Sequence, residues 1–341
     1  MTVPVQEAPI RVAVDLLGGD GAPEVVADAA LLVTNEQPDV DLLLVGPPDL
    51  ADGLLRQRSA TTPHWRLPAI VPASPGLNRA VVDDPATLVR ARADVPVRVA
   101  AQLVRDGAAD AVVSAGPTGA LLAAAVLTLG SLPGVTRPAV AVVVPAAGGP
   151  LVFLDAGGTV ECPPEMLARF GLLGSAYATA RFGIESPRVA LLAHASEPGR
   201  GDTVRRAAIP LFEAAPIRFV GNVEGGEVAL GEFADVVVTD GFTGNAVLKA
   251  IEGTVDLVVS RLDAALPSAR EATAALRRER RSGGVIVGVD GVAVVAHGAA
   301  TPRALAACVA LAAATVRDQI VPRVTRVLAG LAAPRGSEVS Q

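Results

Sequence analysis

"VVVTDGFTGNAVLKAIEG" (Val236–Gly253) decides the fold. A β-branched run ends in Thr239-Asp240, a Gly-containing turn follows, and an Ala/Leu/Ile-rich helical stretch begins. Three other segments share this grammar: "VAVDLLGGDGAPEVVADAA" (Val12–Ala30), "AVVSAGPTGALLAAAV" (Ala111–Val126) and "VFLDAGGTVECPPEMLARF" (Val152–Phe170). Near-continuous apolar strands alternating with helices predict βαβ units around a mainly parallel sheet buried on both faces.

Working outward, the expected strands are Arg11–Asp15, Asp41–Val45, Ala69–Val71, Asp110–Ser114, Ala139–Val144, Leu151–Asp155, Arg188–Leu192, Arg218–Gly221 and Asp235–Thr239. Val285–Val289 and Val292–Ala296, joined by Asp290-Gly291, read as a β-hairpin. Thr301-Pro302 marks a helix start, with Thr at the N-cap and Pro at the first helical position. One domain over 11–330 is expected, with lobes 11–145 plus 285–330 and 146–284 flanking a cleft. The ends 1–9 and 333–341 read as flexible.

Composition narrows the function. The chain has 341 residues, is 51% hydrophobic and only 3% aromatic, and carries a net charge of −6. Few aromatic platforms and an acidic balance argue against nucleic acid as the main partner. Cys162 and Cys308 form no CxxC pair, which suits a reduced cytosolic protein. The first residues lack the pattern of a signal peptide, and the longest Ala/Leu stretches are too short to span a bilayer.

In an open α/β sheet the four glycine turns lie at the carboxyl ends of the strands, where ligands bind. Glycine admits close backbone approach, and free amides at a helix start favour an anion. This edge is therefore expected to hold a negatively charged group such as phosphate. None of the four turns is a Walker A loop or a clean GxGxxG, and any one of them alone is equally an ordinary βα turn.

Lys249 is the single lysine among 29 cationic residues. With Thr243 as the helix cap, Lys249 falls in the second turn, on the face of Asn245, and leans back towards the glycine turn. A bound anion explains a cation there better than helix stability does; a solvated surface lysine is the bland alternative.

Other chemistries find little support. His64, His194 and His297 show no metal-ligand spacing. His297 fits an oxyanion donor and a satisfied structural histidine equally well. Asp15, Asp20, Asp155 and Asp240 fit helix caps better than Mg²⁺ ligands. Cys162, ahead of Pro163-Pro164 and without a local basic neighbour, reads as structural. Arg277–Arg281, "RRERR", reads as a solvated helix face or as a docking element for a membrane or partner. No cofactor and no metal are expected.

At these motifs the chain resembles the bacterial phosphate acyltransferase family. The carriers are "GGDGAPE", "DDPATLVRAR", "DAVVSAGPTGALLAA", "GVTRPAVA", "LDAGGTVECPPEMLARFGLLGSAYA", "PRVALLAHASEPGRGD", "GNVEG", "ADVVVTDGFTGNAVLKAIEG" and "GVDGVAVVAHGAAT". The resemblance runs from about Arg11 to Thr315. It implies a three-layer α/β/α fold similar to isocitrate and isopropylmalate dehydrogenases, and also to phosphotransacetylases. It implies acyl transfer from acyl-acyl-carrier-protein to orthophosphate, giving acyl-phosphate for phospholipid synthesis. It further implies a homodimer, a cytoplasmic protein with peripheral membrane contact, and a membrane glycerol-3-phosphate acyltransferase as partner.

On this resemblance Lys249, Asn245, Asp240 and His297 are the expected catalytic groups. Asn245 or His297 would donate to the oxyanion, and Asp240 would orient Lys249 or Asn245. Arg200, Gly19, Asp20, Ser114, Gly116, Thr118, Gly119, Asp155, Glu224, Thr243 and Gly244 are the expected substrate and phosphate contacts. The sequence departs from the family pattern at Pro117, Val95-Pro96, Arg90 and Arg92, Ala193-His194-Ala195, Arg200, and a shortened segment before the hairpin. The rival readings are a phosphotransacetylase or phosphotransbutyrylase using a coenzyme A thioester, a dehydrogenase on the similar fold, and a non-catalytic scaffold for a membrane acyltransferase.

Overall fold

The computed structural model describes residues 8–62, 64–75, 85–266, 268, 273 and 283–332. Arg277–Arg281 lies outside the described residues, as do most of the two expected flexible ends. The chain divides into two compact units, Met1–Ser131 with Arg281–Asp318, and Leu132–Arg280 with Gln319–Gln341.

The first unit opens with β1 (Ile10–Asp15), α1 (Glu24–Glu36), β2 (Val40–Gly46), α2 (Pro48–Ser59) and β3 (Ala69–Pro72). It continues with α3 (Pro85–Ala91), α4 (Pro96–Arg105), β4 (Ala111–Ser114) and α5 (Thr118–Thr128). The strands β1, β2, β3 and β4 pair in parallel, with Ala13 opposite both Leu43 and Val112. Val12, Ala13 and Val112 are fully buried, as continuous apolar strands between helical layers require. Two departures from the family pattern sit at helix starts. Val95-Pro96 provides the cap and first residue of α4, and Pro117 caps α5 without a side-chain bond. Proline's fixed φ suits the first helical turn, so neither position disturbs its helix.

The second unit holds β5 (Ala139–Ala146), β6 (Gly149–Leu154), α6 (Pro164–Phe182), β7 (Arg188–Leu192), α7 (Thr203–Ala214), β8 (Arg218–Val223), α8 (Gly225–Leu230), β9 (Val236–Val238) and α9 (Gly241–Ala265). β5 and β6 form an antiparallel pair, and β6, β9, β7 and β8 run parallel in that order. Phe153, Ala190 and Val237 meet in its core with Val223 and Val228. At 25 residues, α9 is the longest described helix.

The chain then returns to the first unit through β10 (Gly284–Val287), β11 (Val292–Val295) and α10 (Pro302–Arg317). β11 joins β4 in parallel and β10 in an antiparallel pair, Val285 facing Val294. The hairpin exists, but its expected two-residue Asp-Gly turn does not. Strand β10 stops at Val287, Gly288 takes φ 104°, and Val289 bridges Ser131 instead. The Asp290 amide donates to the Gly130 carbonyl at 3.0 Å, so the loop is pulled onto the end of α5. Thr301 caps α10 by accepting from the Ala304 amide, with Pro302 next, as the sequence predicts. The last helix, α11 (Ile320–Ala332), belongs to the second unit and packs on α6.

Candidate active site

In the second unit the site grows from Asp155, at the end of β6 and fully buried. Its Oδ1 accepts from the amides of Val140 and Gly158, each at 3.0 Å, and its Oδ2 accepts from the Thr159 amide at 2.6 Å. The loop 155–159 is thereby closed around its own carboxylate. Burial lifts the Asp155 carboxyl above its ordinary range, against the opposing pull of the surrounding amides.

Helix α9 starts against this loop. The Gly241 amide donates to the Thr159 carbonyl at 2.7 Å. A Cβ added to Gly244 would lie 1.9 Å from the Asp155 carbonyl oxygen, so only glycine permits this approach. The helix cap is Asp240, not Thr243. Asp240 Oδ1 accepts from the Thr243 amide at 2.8 Å, and Oδ2 accepts from the Thr243 hydroxyl at 2.8 Å. The helix thus begins three residues earlier than a Thr243 cap would set it, and Thr243, at its third position, becomes a residue that the cap binds.

Arg205, in the first turn of α7, is the residue that sequence reasoning missed. It is buried, and its guanidinium donates to the Leu192 carbonyl at 2.6 Å, Asp202 Oδ2 at 2.6 Å, Thr239 Oγ1 at 3.0 Å and Asp240 Oδ2 at 2.7 Å. One planar fork therefore joins the ends of β7 and β9 to the caps of α7 and α9. The only local signal was Asp202-Thr-Val-Arg205, a cap followed three residues later by a cation. Burial acts to raise the Asp240 carboxyl, but the Thr243 amide and hydroxyl and the Arg205 guanidinium outweigh it. The net position is below the ordinary range.

Asn245 is exposed on α9, and a Cβ on Gly157 (φ 124°) would lie 3.6 Å from its Cβ. Its amide therefore stands over the glycine loop. Lys249 falls in the third turn of α9 because the helix begins at Gly241. Its Nζ donates to Glu252 Oε2 at 2.7 Å, and its side chain is 41% exposed. Asp240 orients neither Lys249 nor Asn245; its carboxylate is occupied by Thr243 and Arg205. The expected free amides at the helix start are also engaged: Gly241 binds Thr159, Thr243 binds the Asp240 carboxylate, and Gly244 binds the Asp240 carbonyl at 2.8 Å.

Two further expected contacts of this unit, Arg200 and Glu224, follow strands β7 and β8. Arg200 is exposed, and its carbonyl accepts from Asn222 Nδ2 at 2.9 Å. Glu224 is exposed and accepts from the Ser196 hydroxyl at 3.5 Å.

The first unit builds a comparable cradle. Asp15 is buried at the end of β1, where Oδ2 accepts from the Ser114 hydroxyl at 2.7 Å and Oδ1 accepts from the Leu17 amide at 3.0 Å. Burial lifts its carboxyl above the ordinary range, against the Ser114, Leu17 and Gly18 bonds. Ser114 Oγ accepts from the Gly116 amide at 3.0 Å. Gly19 takes φ 111°, and the Asp20 amide donates to the Gly298 carbonyl at 2.7 Å, which brings the segment after His297 to this turn. His297 Nδ1 accepts from the Ala299 amide at 3.0 Å, so a neutral ring carries its proton on Nε2. Thr118 begins α5, and Gly119 faces open space.

Among the described residues no group of three or more His, Cys, Asp or Glu side chains is arranged to hold a metal. Cys162 is buried, and burial lifts its thiol to about 12, which disfavours the thiolate.

The fold is similar to that of a phosphotransacetylase from Streptococcus pyogenes, with a TM-score of 0.56 and 15% identity, covering 91% of this chain and 94% of that one. It is also similar to a 4-hydroxythreonine-4-phosphate dehydrogenase from Salmonella typhimurium, with a TM-score of 0.54 and 14% identity over 90% and 99% of the two chains. In sequence, a phosphate acyltransferase from Thermobifida fusca is 39% identical, with 95% of this chain and 92% of that protein aligned. One from Myxococcus xanthus is 38% identical over 95% of each. The model of the family described as fatty acid synthesis protein matches residues 10–323. The chain therefore belongs to that family, in which its aligned curated relatives are phosphate acyltransferases.

Proposed function

We propose that this protein is an acyltransferase that moves an acyl group from a thioester to inorganic phosphate. The observation that carries this reading is alignment over nearly the whole chain with phosphate acyltransferases at 38–39% identity. The chemistry needs no nucleophilic side chain. A phosphate oxygen attacks the thioester carbonyl carbon, the carbon–sulfur bond breaks, and the thiolate leaves and takes a proton. The protein must hold the phosphate and stabilise the tetrahedral oxyanion.

Asn245, over the Gly157 loop, is assigned to the oxyanion or to the phosphate. Arg200 supplies an exposed positive charge. Lys249 exchanges Glu252 for phosphate, because a half-exposed ion pair is worth only about 0.5 kcal/mol and does not compete with a dianion. Asp240, Thr243 and Arg205 position the start of α9. Glycines such as Gly119 and Gly244 serve by admitting close approach, since the amides at the α9 start are engaged within the protein. Asp15, Asp20, Ser114 and His297 form a polar cradle in the first unit, where the exposed Nε2–H of His297 is a donor for an anionic group.

The donor is proposed to be acyl-acyl-carrier-protein, and the product to feed phospholipid synthesis. A homodimer is supported by exposed Leu257, Val258 and Leu262 on α9 and Leu266 at its C-terminal cap. Peripheral contact with a membrane acyltransferase, and a cytoplasmic location, belong to the same reading. Among the described residues no single helix is long and apolar enough to cross a membrane.

The test is purified protein with long-chain acyl-carrier-protein and orthophosphate, with free thiol and acyl-phosphate both assayed. Phosphate-dependent thiol release matched by acyl-phosphate is expected, and faster than with the acyl-coenzyme A. Faster reaction with coenzyme A favours the phosphotransacylase rival. Thiol release without phosphate defeats the proposal.

A further inference from the structure

We propose that an apolar slot in the second unit receives the fatty acyl chain, with Arg137 and Arg169 at its rim facing the anionic end of the acylated phosphate. This inference rests on the acyl-to-phosphate reading above. The slot is about 290 Å³ and is walled by Leu172 and Leu173 of α6, Leu328 and Leu331 of α11, and Pro133 and Pro216. Both arginines also line it and are exposed, which puts the charges at the opening and the leucines behind them.

The two cations point to an anion. Arg169 Nη1 donates to Thr136 Oγ1 at 2.5 Å, and Arg137 Nε donates to Thr159 Oγ1 at 3.0 Å. Neither forms an ion pair with a carboxylate among the described residues. Exposed arginines without an acidic partner, held in place through a hydroxyl, keep their remaining N–H groups for a ligand. An apolar slot behind such a pair suits an amphiphile, with an uncharged chain inside and an anionic head outside.

The position links the slot to the reacting centre. Thr159, which accepts from Arg137, donates its amide to Asp155 and offers its carbonyl to Gly241 at the start of α9. Arg137 thus bonds to the loop over which Asn245 stands and lines the same slot as the leucines. A volume of about 290 Å³ lies at the small end of ligand pockets, which run from about 300 Å³ upward, and is too narrow for a protein helix. Each methylene that enters strengthens binding about fourfold, so the slot makes chain length a determinant of affinity.

The experiment compares the wild-type chain with Leu172→Trp, which fills the slot, and Leu331→Gln, which makes its wall polar. Two readouts are used. One is the ratio of kcat/KM for a sixteen-carbon to a four-carbon acyl thioester with phosphate. The other is direct calorimetric binding of a non-hydrolysable sixteen-carbon acyl phosphonate, with Arg137→Gln included. The ratio is expected to fall at least about tenfold in both slot variants. Phosphonate binding is expected to weaken about tenfold or more in all three. An unchanged ratio in a folded, active variant overturns the slot while leaving acyl transfer to phosphate intact. If the wild type transfers no acyl group to phosphate, the function falls first. Phosphonate binding that stays equal in all variants then removes the slot as well. A changed sedimentation mass in Leu172→Trp with an unchanged ratio makes a second copy the occupant and overturns the proposal.

Discussion

Arg205 Nη2 donates to Asp240 Oδ2 at 2.7 Å, and this contact fastens the first turn of α7 to the first turn of α9. The two residues lie on different βα turns of the second unit. Their pairing makes the start of α9, and with it Asn245, part of a rigid frame rather than an independent helix end.

Arg205→Leu leaves Asp240, Asp202 and the Leu192 carbonyl without their shared donor. Removing one partner of a buried pair costs about 3–5 kcal/mol, so a loss of that size is expected in urea unfolding. Arg205→Lys keeps the charge but not the fork, and its loss should be smaller. Equal stability in wild type and Arg205→Leu would show that the network does not hold the frame.

Asp240 also makes a pH prediction. Its folded carboxyl lies below the ordinary value, which is about 3.9 in an unfolded chain. A depressed value means stability that is present above the unfolded value and lost as pH falls through the folded one. Asp240→Asn lacks this contribution. The gap in thermal midpoint between wild type and Asp240→Asn should therefore be largest near about pH 7 and narrow on acidification below about pH 4. A gap that widens in acid contradicts the assignment.

Two glycines of one helix should respond oppositely to alanine. A Cβ at Gly244 lands on the Asp155 carbonyl, whereas one at Gly253 meets nothing within 4 Å. Gly244→Ala is expected to cost about 1–3 kcal/mol or more by overpacking, and to displace the 155–159 loop. Gly253→Ala, at an exposed helical site, should gain about 0.5–1 kcal/mol. Denaturant melts of the two variants measure both effects.

Lys249→Ala separates stability from chemistry. The Glu252 pair is half-exposed, so unfolding free energy should change by no more than about 0.5 kcal/mol. If phosphate displaces Glu252 as proposed, turnover falls about a hundredfold or more, the typical cost of losing one preorganised donor. Steady-state rates at saturating acyl donor test this; an unchanged rate assigns phosphate to Asn245 and Arg200 without Lys249.

Much of the fold was legible because its causes are local. Val236–Val238, Ala111–Ser114 and their counterparts are continuous apolar runs that end at glycine turns, and each became a buried strand followed by a helix. Thr301-Pro302 carries its own capping chemistry and began α10 as read. The Asp-Gly hairpin turn failed for a non-local reason: Val289 found Ser131, a residue far away in the chain. Thr243 failed as a cap because the helix already begins at Gly241 behind Asp240, which leaves Thr243 at the third helical position with its own amide bound.

By itself the sequence determined the alternation of elements, the parallel sheet and the polar strand ends. Periodicity, glycine conformational freedom and proline's fixed φ act within a few residues. Only the tertiary structure decided which polar groups remain available. It gave the Gly241 amide to the Thr159 carbonyl and placed Arg205 under the caps of two helices, whereas the bonds of Thr243, Gly244 and Lys249 lie within three or four residues on α9. A hydrogen-bond donor is satisfied by whatever acceptor folding brings within about 3 Å, and that neighbour is set by packing between distant segments.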